Sequence, residues 1–126
     1  MLSTAHIALC AMAYLSAKHM LADFVLQSPY QLQNKGRYLH PGGLLHAAIH
    51  CGLSLPVYAI VRADLHSALL LTLMEFFIHY HLDWSKEQLT RCRQLTQADV
   101  AFWWAFGTDQ MLHALTYVAM VGMLVH

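Results

Sequence analysis

Apolar residues along this chain fall into four long runs parted by polar connections. Each run is long enough for a helix of about 20 residues, the length that crosses a bilayer core. The first extends from Leu2 to Leu26 and is interrupted by Lys18, His19 and Asp23. The second, Gly42 to Val61, holds no Asp, Glu, Lys or Arg. The third runs from Leu65 to Trp84 and carries Glu75; the fourth runs from Val100 to Val125 and carries Asp109. None alternates apolar and polar positions with period two, so strands are not expected. Pro41 and the glycines after it open the second helix, and Pro56 is expected to kink it. A soluble helix shows a polar face, whereas Gly42–Val61 offers only His46, His50 and small hydroxyl or thiol residues. The pattern predicts an all-α, integral membrane, antiparallel four-helix bundle, with residues 1–126 forming one four-transmembrane-helix domain.

Composition agrees. Hydrophobic residues make up 58% of the 126 residues and charged residues 11%, less than half the roughly 25% of a soluble domain. Such a chain is not disordered, since disorder needs low hydrophobicity and high net charge. Its net charge of zero excludes a protein that holds a nucleic-acid duplex through a basic surface. The first run has no basic lead, and Lys18 and Asp23 do not fit a signal peptide, so it is expected to be retained. Cys10, Cys51 and Cys92 form no disulfide framework and are expected to be buried, inert thiols.

Basic residues set the orientation. Lys35 and Arg37 lie between runs one and two, and Lys86, Arg91 and Arg93 between three and four; the opposite side has only Arg62. This asymmetry predicts a multi-pass protein of the cell (inner) membrane, with both longer connections in the cytoplasm and both termini outside. Trp84, Trp103 and Trp104 fall near the same cytoplasmic ends, as an aromatic belt would. Lys18, inside run one, must snorkel to the surface or pair with Asp23 or Glu75.

Histidine is the abundant polar residue: ten are present, more than Lys and Arg together. Each run carries a pair of ligand-type residues four apart: His19 and Asp23, His46 and His50, His79 and Asp83, Asp109 and His113. Residues four apart lie one above the other on a helix face and can grip one ion. In an up-down-up-down bundle all four pairs fall at comparable depth near the cytoplasmic end, and helix bundles build metal sites in this way. Ionisable groups inside a membrane segment are expensive and mark function. The competing reading is a buried polar network that tightens helix packing. Eight ligands of this kind suit two divalent ions about 3.5–4 Å apart, with Zn²⁺ favoured by the mixed imidazole and carboxylate set and Mn²⁺ or Fe²⁺ next. Gln27 and Gln110 stand beside the pairs and are expected to hydrogen-bond the ligands. His81 points away from His79 and is expected to pack or meet headgroups, while His6, His40, His66 and His126 are expected to be solvated.

These motifs, HMLADFVLQ at 19–27, Lys35, HAAIH at 46–50, HYHLDWSK at 79–86 and DQMLH at 109–113, resemble the small bacterial and phage membrane protein family classed as domain of unknown function 3307. The resemblance implies a multi-helix membrane protein with polar motifs at helix ends, and carries no activity.

Two functions follow from the residues. The first is a membrane-embedded metal-dependent hydrolase with Glu75 as general base. In it Lys35, Arg37, Lys86 and Arg91 receive the phosphate of a small-molecule or lipid substrate, such as a phospholipid or nucleotide phosphoester. The second is a non-catalytic membrane metal-binding protein, a sensor or a carrier. A di-iron oxidase is less well matched, because such bundles use Glu-x-x-His ligands that this chain lacks. Self-association into a homo-oligomer is left open by the sequence.

Overall fold

The computed structural model describes residues 3–125; Met1, Leu2 and His126 lie outside the described residues, and the expectation for His126 lies there with them. The described chain forms five helices and no strand: α1 (Thr4–Phe24), α2 (Pro29–Asn34), α3 (Pro41–Val61), α4 (Leu65–Cys92) and α5 (Val100–Leu124). The four long helices coincide closely with the four apolar runs. Ser3 starts α1 by accepting a hydrogen bond from the His6 amide. Asp64 starts α4, accepting from the Ser67 amide and hydroxyl, and these bonds hold its carboxyl below the usual carboxylate range.

Two features depart from the expected pattern. The connection after α1 contains α2, built on a capping box: Ser28 accepts from the Gln31 amide, and the Gln31 side chain accepts from the Ser28 amide at 2.8 Å. Pro29 occupies the first helical turn, where its missing N–H costs nothing. The second departure is α4, whose 28 residues run past Trp84 to Cys92. Residues 85–92 contain neither Gly nor Pro to stop the helix, so it continues about two turns beyond its apolar stretch. Lys86 and Arg91 are therefore helical residues and not part of a loop. Pro56 lies within an α3 that is assigned as one helix from Pro41 to Val61.

The long helices pack in a ring, α1 and α4 each lying against both α3 and α5. Neighbours are antiparallel: Asp23 meets His46 near one end of the α1/α3 pair, and Tyr14 donates to the Leu53 carbonyl further along. Helix α2 lies on the first turn of α3, which the two glycines permit. A Cβ at Gly42 would stand 2.9 Å from Asn34 Cβ, and one at Gly43 would stand 3.2 Å from Tyr80 and 3.3 Å from Lys35 Cα. This close approach carries Lys35 over the end of the bundle.

The interior divides into two halves. One is an apolar core of Ala11, Leu15, Val57, Leu71, Met120 and their neighbours. The other is filled with buried polar side chains from all four long helices. The exterior is apolar, with Leu69, Leu70, Leu73 and Phe77 of α4 and Leu115 and Val118 of α5 exposed. By length and composition one described helix, Pro41–Val61, is apolar enough to cross a membrane.

Candidate metal centre

The pairs sit near the end of α1, in the first half of α3 and near the middle of α4 and α5, and antiparallel packing brings all four to one level. All eight residues meet there. They form three overlapping groups whose ligand atoms lie within 4.8 Å of one another: Asp23, His46, His50 and His79; His19, His79 and His113; and Asp83, Asp109 and His113. Seven of the eight are buried and Asp23 is half-buried.

The two central aspartates each face several imidazoles. Asp23 Oδ1 stands 3.0 Å from His50 Nε2 and 3.2 Å from His46 Nε2, while its Oδ2 is 3.1 Å from His19 Nε2. Asp83 Oδ2 stands 3.2 Å from His46 Nε2, and its Oδ1 is 3.6 Å from His113 Nε2. His113 also approaches Asp109 Oδ1, at 3.5 Å. The imidazoles crowd together, with the His50 and His79 ring centroids 3.8 Å apart and those of His79 and His113 4.2 Å apart.

Most of these approaches lack hydrogen-bond alignment. Among the described residues, Nε2 of His19, His46, His79 and His113 is buried without a hydrogen-bond partner, as are Asp83 Oδ2 and Asp109 Oδ1. Leaving a buried polar atom unpaired costs about 1–3 kcal/mol, so atoms gathered in this way are available to bind a further group. Ligands about 2.0–2.2 Å from a tetrahedral ion stand roughly 3.3–3.6 Å from one another. The His113 separations of 3.6 and 3.5 Å fall in that range, while those of His19, His46 and His50 from the two aspartates, at 3.0–3.2 Å, are shorter.

The surrounding residues are sorted by the structure. Gln110 donates to Asp23 Oδ2 and Asp109 Oδ2, as expected of a residue that orients ligands. Gln27 instead donates to the Asp23 backbone carbonyl. Tyr117, which the sequence reading missed, places its hydroxyl 2.9 Å from His19 Nδ1. It stands four residues after His113 and extends the Asp109–His113 stripe by one turn, a spacing visible in the sequence. Glu75 belongs to none of the three groups. Lys18 Nζ reaches its Oε1 at 2.6 Å and the Ser54 hydroxyl donates to the same oxygen at 2.8 Å. Of the partners open to Lys18, Glu75 is therefore the one it takes.

Of the basic residues, Lys35 is buried with Nζ 3.6 Å from Asp83 Oδ2. Lys86 and Arg91 line a cavity of about 790 Å³ that opens over Asp23 and Asp109. Arg37 is exposed and does not line that cavity, because the turn after α2 carries it outward. His6 and His66 are exposed, as expected. His40 is not simply solvated: half-buried, it caps α3 by accepting from the Gly42 amide. His81 is exposed and meets Tyr38. Cys51 is buried with its thiol against the Thr72 carbonyl and stands outside the metal groups, while Cys10 and Cys92 are exposed, contrary to expectation, on outward helix positions.

Residues 11–126 match the family model described as "Protein of unknown function (DUF3307)". The chain belongs to this family. The DUF3307 match encloses all eight clustered His and Asp residues, from His19 to His113, together with α2 and Lys35. No curated protein and no solved structure matches the chain.

Proposed function

We propose that this protein is a membrane-embedded, metal-dependent hydrolase whose centre holds two divalent ions, Zn²⁺ before Mn²⁺ or Fe²⁺, and acts on a phosphoester. The observation that carries the reading is the set of buried Nε2 and carboxylate atoms without hydrogen-bond partners that gather from all four long helices. Asp83 turns one oxygen to His46 and the other to His113, so its carboxylate would help to hold both ions if they were bound. Such a pair of ions supplies an activated water and stabilises charge on a phosphoryl oxygen. Water attacks phosphorus, the ester P–O bond breaks, and the leaving alcohol takes the proton.

The chain's own residues complete the site. Lys35, Lys86 and Arg91 supply positive charge around the cavity over Asp23 and Asp109, suited to a phosphate. Glu75 is the counter-ion of Lys18 in this reading, and the base is the activated water or a ligand aspartate.

The bundle lies in the inner membrane with its four long helices spanning, the centre facing the cytoplasm and both termini outside. Support comes from the inverted distribution of polarity: charged groups sit inside the bundle, and Leu, Phe and Val cover its outside. A carrier would need ligands along the whole span, whereas the half beyond Lys18 and Glu75 is closed by Leu15, Val57, Leu71 and Met120.

The test is an assay of the purified chain in detergent against phospholipid and nucleotide phosphoesters with Zn²⁺ or Mn²⁺ added. Metal-dependent turnover that Asp83→Ala abolishes supports the proposal. Metal bound without turnover of any substrate moves the function to sensing.

A further inference from the structure

A second cavity lies beside the one over the metal centre. It occupies about 460 Å³ between α4 and α5, and its walls are mostly apolar: Leu82, Leu89, Ala101, Trp104, Ala105 and Leu112. Lys86, Leu95 and Asp109 line both cavities, so the apolar groove and the polar chamber adjoin at a metal-centre aspartate and a lysine. Arg93 adds a second positive charge to the groove. Both volumes fall in the range of about 300–1,000 Å³ that holds a small ligand.

This pairing separates the two substrate classes. A nucleotide phosphoester can stack its base on Trp104 but has no aliphatic part to fill the leucine- and alanine-lined length of the groove. An anionic phospholipid has both parts in the right order. We infer that the substrate is a phospholipid, bound with its phosphate in the chamber beside Lys35 and Lys86 and one acyl chain in the α4–α5 groove. The inference rests on the metal-centre reading above for the role of the chamber. Apart from Lys86 and Asp109, the groove is formed by residues that reading does not use. Trp104 is 72% exposed, on the outward side of α5, so the groove faces the medium from which a lipid enters. Burying a chain there removes apolar surface from contact with water and headgroups, and Lys86 selects for the anionic headgroup.

Trp104 also provides the measurement. In a Trp84→Phe/Trp103→Phe background it is the sole tryptophan of the chain. The metal-loaded protein is placed in phosphatidylcholine nanodiscs and titrated with a diacylglycerol phosphonate brominated on its acyl chains, a non-hydrolysable lipid that quenches indole on contact. Phosphatidylcholine brominated in the same way is the comparison. The expected result is half-maximal quenching by the phosphonate at a mole fraction at least about tenfold lower than by phosphatidylcholine, a preference that Lys86→Ala and, separately, the groove-filling Ala105→Phe both erase. Equal quenching by the two lipids, or a preference that survives both substitutions, overturns the inference.

Turnover measured in parallel keeps the two readings apart. Lipid preference without metal-dependent turnover of any phosphoester contradicts the hydrolase and supports the lipid site. Turnover of a soluble nucleotide phosphoester that Ala105→Phe leaves unchanged, with no lipid preference, contradicts the lipid site and keeps the hydrolase.

Discussion

His46 Nε2 and Asp83 Oδ2 stand 3.2 Å apart, both buried, and neither makes a hydrogen bond. A nitrogen and an oxygen at that distance would ordinarily share a proton along the line between them. Here neither atom is paired along that line, although each stands in a cluster of ligand-type atoms drawn from other helices. The same relation recurs between His113 and Asp109 within α5. The ligand assignment makes the first prediction. Asp23→Ala, His50→Ala, Asp83→Ala and His113→Ala each lower the metal content of the purified protein, with Asp83→Ala removing at least half because it faces both sides. His6→Ala and His66→Ala, on exposed positions, leave it unchanged. Elemental analysis of the six variants decides, and equal retention in both groups would return the residues to a packing network.

Metal removal should also loosen the fold. If the ions bind only the folded chain, excess chelator lowers stability by about 2.7 kcal/mol for a metal held at a hundred times its Kd. Thermal unfolding in detergent, with and without chelator, reads this as a fall in Tm that restored Zn²⁺ reverses. The fall should vanish in Asp83→Ala.

The Lys18–Glu75 pair separates a structural role from a chemical one. Both side chains are buried, 2% and 1% exposed, and removing one partner of such a pair costs about 3–5 kcal/mol. Glu75→Gln and Lys18→Met should each be that destabilising, while the double variant recovers much of the loss. The specific activity of the folded fraction should stay unchanged in Glu75→Gln. A loss of turnover of about 10²–10⁴-fold with stability preserved would instead make Glu75 the general base.

Membrane placement predicts retention in the membrane fraction after high-salt and alkaline washing, since insertion of spanning helices is effectively irreversible. Cys92, exposed at the end of α4, provides the orientation. An impermeant thiol reagent should label it in inverted vesicles and leave it unlabelled in intact cells; labelling in intact cells would reverse the topology.

Much of this molecule was legible in the sequence because each signal was local. Hydrophobic run lengths mark three of the four long helices to within a few residues and the start of α4, and spacing of four marks the His and Asp pairs, which antiparallel order then stacks at one level. What escaped depended on contacts between elements or on signals weighed too lightly. The capping box Ser28–Gln31 was present in the sequence, but the segment was read as a connection because it lacks an apolar run. The continuation of α4 through Cys92 followed from helix propensity, which does not end where hydrophobicity ends. Lys18 has several possible partners, and only the closing of the ring, which sets α1 across from α4, selects Glu75. Arg37 and Lys35 looked equivalent as loop cations. The approach of α2 to Gly43 buries one beside Asp83 and leaves the other exposed.

A dinuclear centre assembled from all four long helices would show itself in X-ray absorption at the metal edge of the purified, metal-loaded protein. Nitrogen and oxygen neighbours are expected at about 2.0–2.2 Å, with imidazole scattering, and a second metal at about 3.5–4 Å. A spectrum showing only water-type oxygen neighbours, with no imidazole contribution and no second metal, would contradict such a centre.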